Sequence, residues 1–255
     1  MYKAVRIICF ILAVVVPSDS QKQKQSRSSQ IIIFDLDGTL IDTLDDLGAA
    51  VNYAMKQRGF PQHTREEYRQ MVGHGARNLI IKALSAEHRD DEALIDAVLA
   101  DFRAYYNTHI DVYTKPFPGI PRLLESMHQK GIKLAVASNK FQEGAEHLIK
   151  EFFPNIPFVA ILGNRPGYPL KPDPEVVGEV LRKAGLSKEN AVMVGDSDTD
   201  MQTAANGGIQ GIAVNWGYRN MREWVNQQTA LPLAQGPKNI SVVDTVEELQ
   251  KILLP

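Results

Sequence analysis

Cysteine is nearly absent from this chain: Cys9 stands alone among 255 residues. An internal disulfide framework is thereby excluded, and so is a cysteine-built zinc site. Cys9 lies in an apolar run and reads as a small hydrophobe. An excess of either charge is also missing. Lys and Arg total 28 against 30 Asp and Glu, for a net charge of −2 and a pI of about 6.3. No general attraction to nucleic acid or to an anionic membrane follows from that balance. Any bound phosphate must be held by a local cluster. Internal repeats are absent, and the one low-complexity stretch is a polar linker near the N-terminus.

No apolar run reaches the ~20 residues of a membrane span. The candidate, Ala4 to Val16, is interrupted by Arg6 and stopped by Pro17. With Lys3 and Arg6 at its start and Ser18 and Ser20 behind it, it has the layout of a signal peptide cleaved after Ser20. Gln21 to Gln30 follows as a polar linker. Three readings stay open for residues 1–29: an export signal, a membrane anchor, or translated sequence upstream of the true start. Against the last, Met55 is the next methionine. An export signal implies a periplasmic or secreted protein, and a mis-assigned start a cytoplasmic one.

What is present is an ordinary globular composition, 44% apolar and 23% charged. Short apolar runs recur before polar or glycine residues: Ile31 to Phe34, Lys133 to Ala137, Phe158 to Leu162, Ala191 to Val194, Gly211 to Val214 and Ile240 to Val243. Such runs predict strands buried on both faces of a parallel sheet. Amphipathic segments separate them, as in Ile120 to Lys130 and Pro174 to Ala184, stopped by Gly131 and Gly185. The alternation predicts an α/β fold, a doubly wound parallel sheet that binds ligands at the carboxyl ends of its strands. Between Thr43 and Val112 the strand signal disappears. Helical patterns over Asp45 to Arg58, Arg65 to Val72, Ala76 to Leu84 and Glu92 to Tyr106 predict an all-α insertion after the first strand. The expected division is a core of residues 30–42 and 115–255 with a helical cap at 43–114. Pro116, Pro118 and Gly119 form the return hinge.

Chemistry gathers at the ends of the strands. Asp35 and Asp37 follow the first one, two residues apart and so able to face the same side. Gly38 lets the backbone turn there. Two carboxylates so placed call for a cation, and a hard divalent ion with oxygen ligands is the simple solution. Asp196, Asp198 and Asp200 follow the fourth run. A calcium loop of the D-x-D-x-D kind fails, because Met201 stands where Gly is needed and Gly207 where Glu is needed. Ser138 and Asn139 follow the second run, and Lys171 lies in Lys171-Pro172-Asp173-Pro174 after the third. Taken singly, Ser138 reads as a turn residue and Lys171 as a surface lysine.

In order, D-x-D-G-T-L-x-D-T from Asp35 to Thr43, then Ser138-Asn139, then Lys171-Pro172-Asp173-Pro174, then G-D-S-x-x-D from Gly195 to Asp200, the chain closely resembles the haloacid dehalogenase-like hydrolases. Within that superfamily it resembles the phosphoglycolate phosphatase-like branch, from about Gln30 to the C-terminus. The resemblance implies a Rossmann-like core with a small helical cap and an Mg2+-dependent phosphatase. It implies Asp35 as nucleophile forming an aspartyl-phosphate, and Asp37 as the acid that protonates the leaving oxygen and then activates water. It further implies a metal held by Asp35, the Asp37 carbonyl and Asp196 with Asp200 in support, and phosphoryl oxygens held by Lys171, Ser138 and the backbone amide of Asn139.

Elementary electrostatics gives these roles a reason. A carboxylate meeting a phosphate at 4 Å costs about 4 kcal/mol per unit-charge pair at an effective dielectric of 20. A dication and Lys171 would offset it. For substrate choice, Val72 to Asn78 matches the position of a cap loop, with His74 and Arg77 as candidates for a substrate carboxylate or sugar hydroxyl. Asn107 and His109 are weaker candidates, and His63, Trp216 and Tyr218 read as structural. The expected substrate is a small phosphorylated metabolite: phosphoglycolate, a sugar phosphate or a nucleotide. Two rivals share the motifs, a sugar phosphomutase of the β-phosphoglucomutase type and an inactive phosphate-binding module. A phosphonatase is disfavoured, because no cap lysine can be assigned to form its Schiff base.

Overall fold

The computed structural model describes residues 30–229 and 240–254. Cys9 and the signal-like segment of residues 1–29 lie outside them. Among the described residues, no helix is long and apolar enough to cross a membrane.

Six parallel strands form one sheet: β1 (Ile31–Phe34), β4 (Lys133–Phe141), β5 (Phe158–Asn164), β6 (Ala191–Gly195), β7 (Gln210–Val214) and β8 (Ile240–Val243), in the order β5-β4-β1-β6-β7-β8. The predicted doubly wound α/β architecture is therefore present. All four residues of β1 are fully buried, because the side-chain period of two sends alternate residues into two cores. Ile32 and Phe34 pack with Leu123, Met127 and Leu148 on one face. Ile31 and Ile33 pack with Val177, Val180 and Ala204 on the other. From β1 the chain moves to one side through β4 and β5, then returns to β1's other edge with β6. That reversal makes the crevice beyond the end of β1 the place where a ligand can approach several loops at once.

Between Asp42 and Lys115 stand four α-helices: α1 (Leu44–Gln57), α2 (Arg65–Met71), α3 (Gly75–Ala83) and α4 (Glu92–Tyr106). Thr64 and Glu67 make a reciprocal capping box at the start of α2. A short antiparallel ribbon, β2 (Ile41–Asp42) with β3 (Lys115–Pro116), joins this insert to the sheet. Pro116, expected at the return hinge, pairs with Ile41. Buried Asp46 fixes the return by accepting hydrogen bonds from the amides of Tyr113 and Thr114, 2.9 and 2.8 Å away.

The remaining helices are α5 (Ile120–Gln129), α6 (Gln142–Phe152), α7 (Glu175–Ala184), α8 (Asp198–Gly207), α9 (Met221–Thr229) and α10 (Val246–Leu253). Two strand ends extend furthest past expectation. β4 does not stop at Ala137 but continues through Ser138 and Asn139 to Phe141, with an irregular register against β5 after Ala137. β5 runs past Gly163 to Asn164. Polar side chains at these ends hid the strands from a reading based on apolar runs.

Insert and core are tied by a reciprocal pair of arginines. Arg69 of α2 donates to the carbonyls of Tyr218 and Gly217, at 3.0 and 3.1 Å. Arg219 of the core donates back to the carbonyls of Arg69, Gln70 and Val72, the last at 2.7 Å.

Candidate active site

Asp35 is the first residue beyond β1. Its amide still donates to Val194 of β6, 2.9 Å away, so the carboxylate is held at the strand's tip by the sheet ladder. The chain then turns tightly, with the Gly38 amide donating to the carbonyl of Ile41 at 2.9 Å. Gly38 sits at φ +88°, and a Cβ there would lie 2.3 Å from Asp196 Oδ2. No other residue fits without displacing that carboxylate.

Asp196 follows β6. One oxygen accepts from the Thr39 hydroxyl at 3.1 Å and the other from the Tyr218 amide at 2.7 Å. Asp200 is fully buried in the first turn of α8. There it closes a capping box with Ser197, whose hydroxyl is 2.6 Å from Asp200 Oδ2. Asp198, between them, does not join the cluster.

Carboxylate oxygens of Asp35, Asp196 and Asp200 lie within 4.8 Å of one another. The Lys171 ammonium enters the same cluster, 2.8 Å from Asp35 Oδ1 and 2.6 Å from Asp200 Oδ1. Burial and then Asp200 push the Asp35 carboxyl up to about 7, against the downward pull of Lys171. Burial, with Asp35 and Asp200, pushes Asp196 up to about 8. Burial alone would lower Lys171, but Asp200 and Asp35 hold its ammonium above the ordinary range. Three buried carboxylates served by one ammonium are short of positive charge. All-oxygen donors suit a hard divalent cation such as Mg2+.

Ser138 and Asn139 lie buried at the end of β4. The Asn139 side chain is committed to the fold. Its amide donates to the carbonyls of Gly73 and Lys171, both at 3.1 Å, and its oxygen accepts from the Lys171 amide at 2.9 Å. It thereby locks the Lys171 loop to β4 and to the insert. Asp37, on the rim, accepts from the Thr43 hydroxyl at 2.7 Å.

No motif in the sequence singles out Lys140. Its ammonium donates to Asp37 Oδ1 at 3.1 Å and to the Tyr106 hydroxyl at 2.6 Å, and its side chain is 2% exposed. A signal existed in the run Ser138-Asn139-Lys140: alternation along a strand puts residues two apart, Ser138 and Lys140, on the same face.

A cavity of about 60 Å³ opens between these residues and the insert. It is bounded by Asp35, Asp37 and Lys140 on the core side and by Gly73, Leu79 and Tyr106 on the insert side. Arg77 does not line it. Arg77 is turned outward onto Glu92 and Asp96, and Gly73, Gly75 and Ala76 face the cavity in its place. His74 meets the core through its Nδ1, 3.2 Å from the Thr199 hydroxyl, and burial lowers its pKa. Asn107 borders a separate cavity, and His109 stacks on Tyr105 with ring centroids 4.0 Å apart. Trp216 donates to the Thr39 carbonyl at 3.1 Å, and the Tyr218 hydroxyl receives the Thr43 amide at 2.8 Å, so both brace the loop after Asp35. His63 bonds the Ala83 carbonyl inside the insert, with its ring edge on Tyr68.

Comparison with known proteins places the chain in a family. Residues 32–214 match the model of the haloacid dehalogenase-like hydrolases. A protein of Mesorhizobium japonicum named phosphoglycolate phosphatase is 37% identical over 77% of this chain and 88% of its own length. One of the same name from Aquifex aeolicus is 34% identical over 74% and 86%. The crystal structure of a Lactobacillus delbrueckii subsp. bulgaricus protein, 33% identical, superposes with a TM-score of 0.77 over 89% of this chain and 98% of that one. With the four motifs converging at the ends of its central strands, this chain belongs to the haloacid dehalogenase-like hydrolase family.

Proposed function

We propose that the protein is a magnesium-dependent phosphatase that hydrolyses a small phosphoglycolate-like metabolite through an aspartyl-phosphate. The observation that carries this reading is Asp35, a carboxylate at the tip of the central strand with a buried lysine 2.8 Å away and two further carboxylates beside it. Relatives named phosphoglycolate phosphatase support the choice of substrate. A Mg2+ ion held by Asp35, Asp196 and the Asp37 carbonyl, with Asp200 in support, would neutralise charge on the phosphoryl oxygens.

Asp35 attacks phosphorus in line, and the bond to the leaving oxygen breaks as its own bond to phosphorus forms. Asp37 donates the proton that the leaving oxygen takes up. It then removes a proton from the water that attacks the acyl-phosphate, returning Asp35 as a carboxylate and releasing phosphate. Lys171 and the Ser138 hydroxyl, with the backbone N–H of Asn139, hold the phosphoryl oxygens. The helical insert acts as a cap, excluding bulk water during transfer and restricting the substrate to one that fits the cavity.

The test is release of inorganic phosphate from a panel of phosphorylated metabolites with Mg2+ and with chelator, for the parent and for Asp35→Asn. The parent is expected to turn over only with the metal. Asp35→Asn, folded normally by circular dichroism, is expected to be inactive and to form no phosphoenzyme. Normal turnover by Asp35→Asn overturns the mechanism.

A further inference from the structure

A substrate with two anionic ends needs two cations, and the structure supplies them in separate places. Lys171 sits among the carboxylates beyond β1, where the phosphoryl group reacts. Lys140 is the one cationic side chain among the described residues bounding the cavity under the insert. The rest of that wall is largely apolar, with Leu47, Val72, Leu79, Phe102 and Phe141. Arg77 is held outside by Glu92 and Asp96. We propose that Lys140, seated on Tyr106, is the residue that recognises a carboxylate on the substrate's leaving group and so sets the preference for short phosphorylated acids.

An ammonium has three donors. Two are engaged, by Asp37 at 3.1 Å and by the Tyr106 hydroxyl at 2.6 Å, and one remains. Lys140 lies 4.7 Å from the centroid of the same Tyr106 ring, so the insert holds the ammonium through this one residue. Distance along the substrate then matters. Asp37 meets the leaving oxygen, and Lys140 is one hydrogen bond beyond Asp37. A carboxylate one methylene from the leaving oxygen reaches that ammonium, whereas one borne on a long chain overshoots it. The volume of about 60 Å³ suits a few atoms. This inference rests on the phosphatase reading and adds which residue selects the substrate.

The test compares kcat/KM for 2-phosphoglycolate with that for 2-phosphoglycolamide, its uncharged isostere, in the parent, in Lys140→Met and in Tyr106→Phe. The parent is expected to prefer the acid by about 30-fold or more, the usual effect of losing one partner of a buried hydrogen-bonded charge pair. In Lys140→Met the ratio should fall to near one, and in Tyr106→Phe to an intermediate value. Equal rates on acid and amide in the parent overturn the inference while leaving the phosphatase reading intact. Equal losses on both substrates in Lys140→Met also overturn it, since Lys140 would then act only through Asp37. Should Lys140→Met not fold, the parent's ratio and that of Tyr106→Phe still decide. A parent inactive on every monoester with Mg2+ fails the phosphatase reading itself.

Discussion

Replacing Lys171 by Met removes the only ammonium in a cluster of three buried carboxylates. Lys171 is 3% exposed at its side chain, and its partners Asp35 and Asp200 are 11% and 0%. Deleting one member of such a buried ionic group costs about 3–5 kcal/mol, because the remaining charges stay desolvated and unpaired. With a urea slope toward the upper end of about 1–3 kcal/mol/M, the unfolding midpoint should drop by on the order of 1 M. The loss must depend on pH. Asp35 and Asp196 have folded-state pKa values raised from 3.8 to about 7 and about 8. A carboxyl raised in the folded state stabilises the fold while protonated. Its contribution is complete below pH ~4 and is lost as the pH rises through 7 to 8. The metal-free parent should therefore weaken between pH 5.5 and 8.5, and Lys171→Met should weaken more steeply, with a deficit largest at 8.5. Millimolar Mg2+ at pH 8.5 should restore part of that stability, since a dication meets the same need. Activity should stay roughly 10²–10³-fold down, because the phosphoryl oxygens have lost a positioned donor. The assay is urea unfolding followed by fluorescence, at both pH values, with and without Mg2+. Equal midpoints for parent and variant at pH 8.5 without metal would refute the coupling of these four residues.

Three further outcomes are expected. Asp37→Asn should slow hydrolysis of an alkyl phosphate by about 10²–10⁴-fold, and an unchanged rate in steady-state kinetics removes its acid role. Arg219→Ala strips donors from the carbonyls of Arg69, Gln70 and Val72; it should loosen the insert, raise KM more than it lowers kcat, and speed limited proteolysis between the insert and the sheet. Arg77→Ala should leave KM unchanged, since its partners Glu92 and Asp96 are on the outer surface, and a raised KM would mean that Arg77 reaches the substrate.

Several features needed only the sequence. Ile31 to Phe34 is apolar without interruption, so it had to be buried on both faces, and Asp35 behind it had to lie at the sheet's carboxyl edge. The remaining strands, the helical insert between Thr43 and Val112 and the family itself followed from runs, periods and four motifs in order. Local pattern is enough for these because burial imposes a period of two or 3.6 on any strand or helix that forms a core.

Tertiary structure decided the rest. Lys140 is far from both of its partners along the chain: Tyr106 is brought to it by the insert folding back over the sheet, and Asp37 by the pairing of β1 with β4. Arg77 and Gly73 share one short stretch, yet the ion pairs to α4 turn the arginine outward and leave the glycine facing the cavity. The reciprocal arginines at 69 and 219 bind backbone carbonyls, which carry no mark in the sequence. The sequence by itself determined the fold and the acidic edge beyond the central strand, because both are written in local patterns of burial and motif. Which side chains line the cavity was decided only where the insert meets the sheet, because those contacts join segments that no local pattern relates.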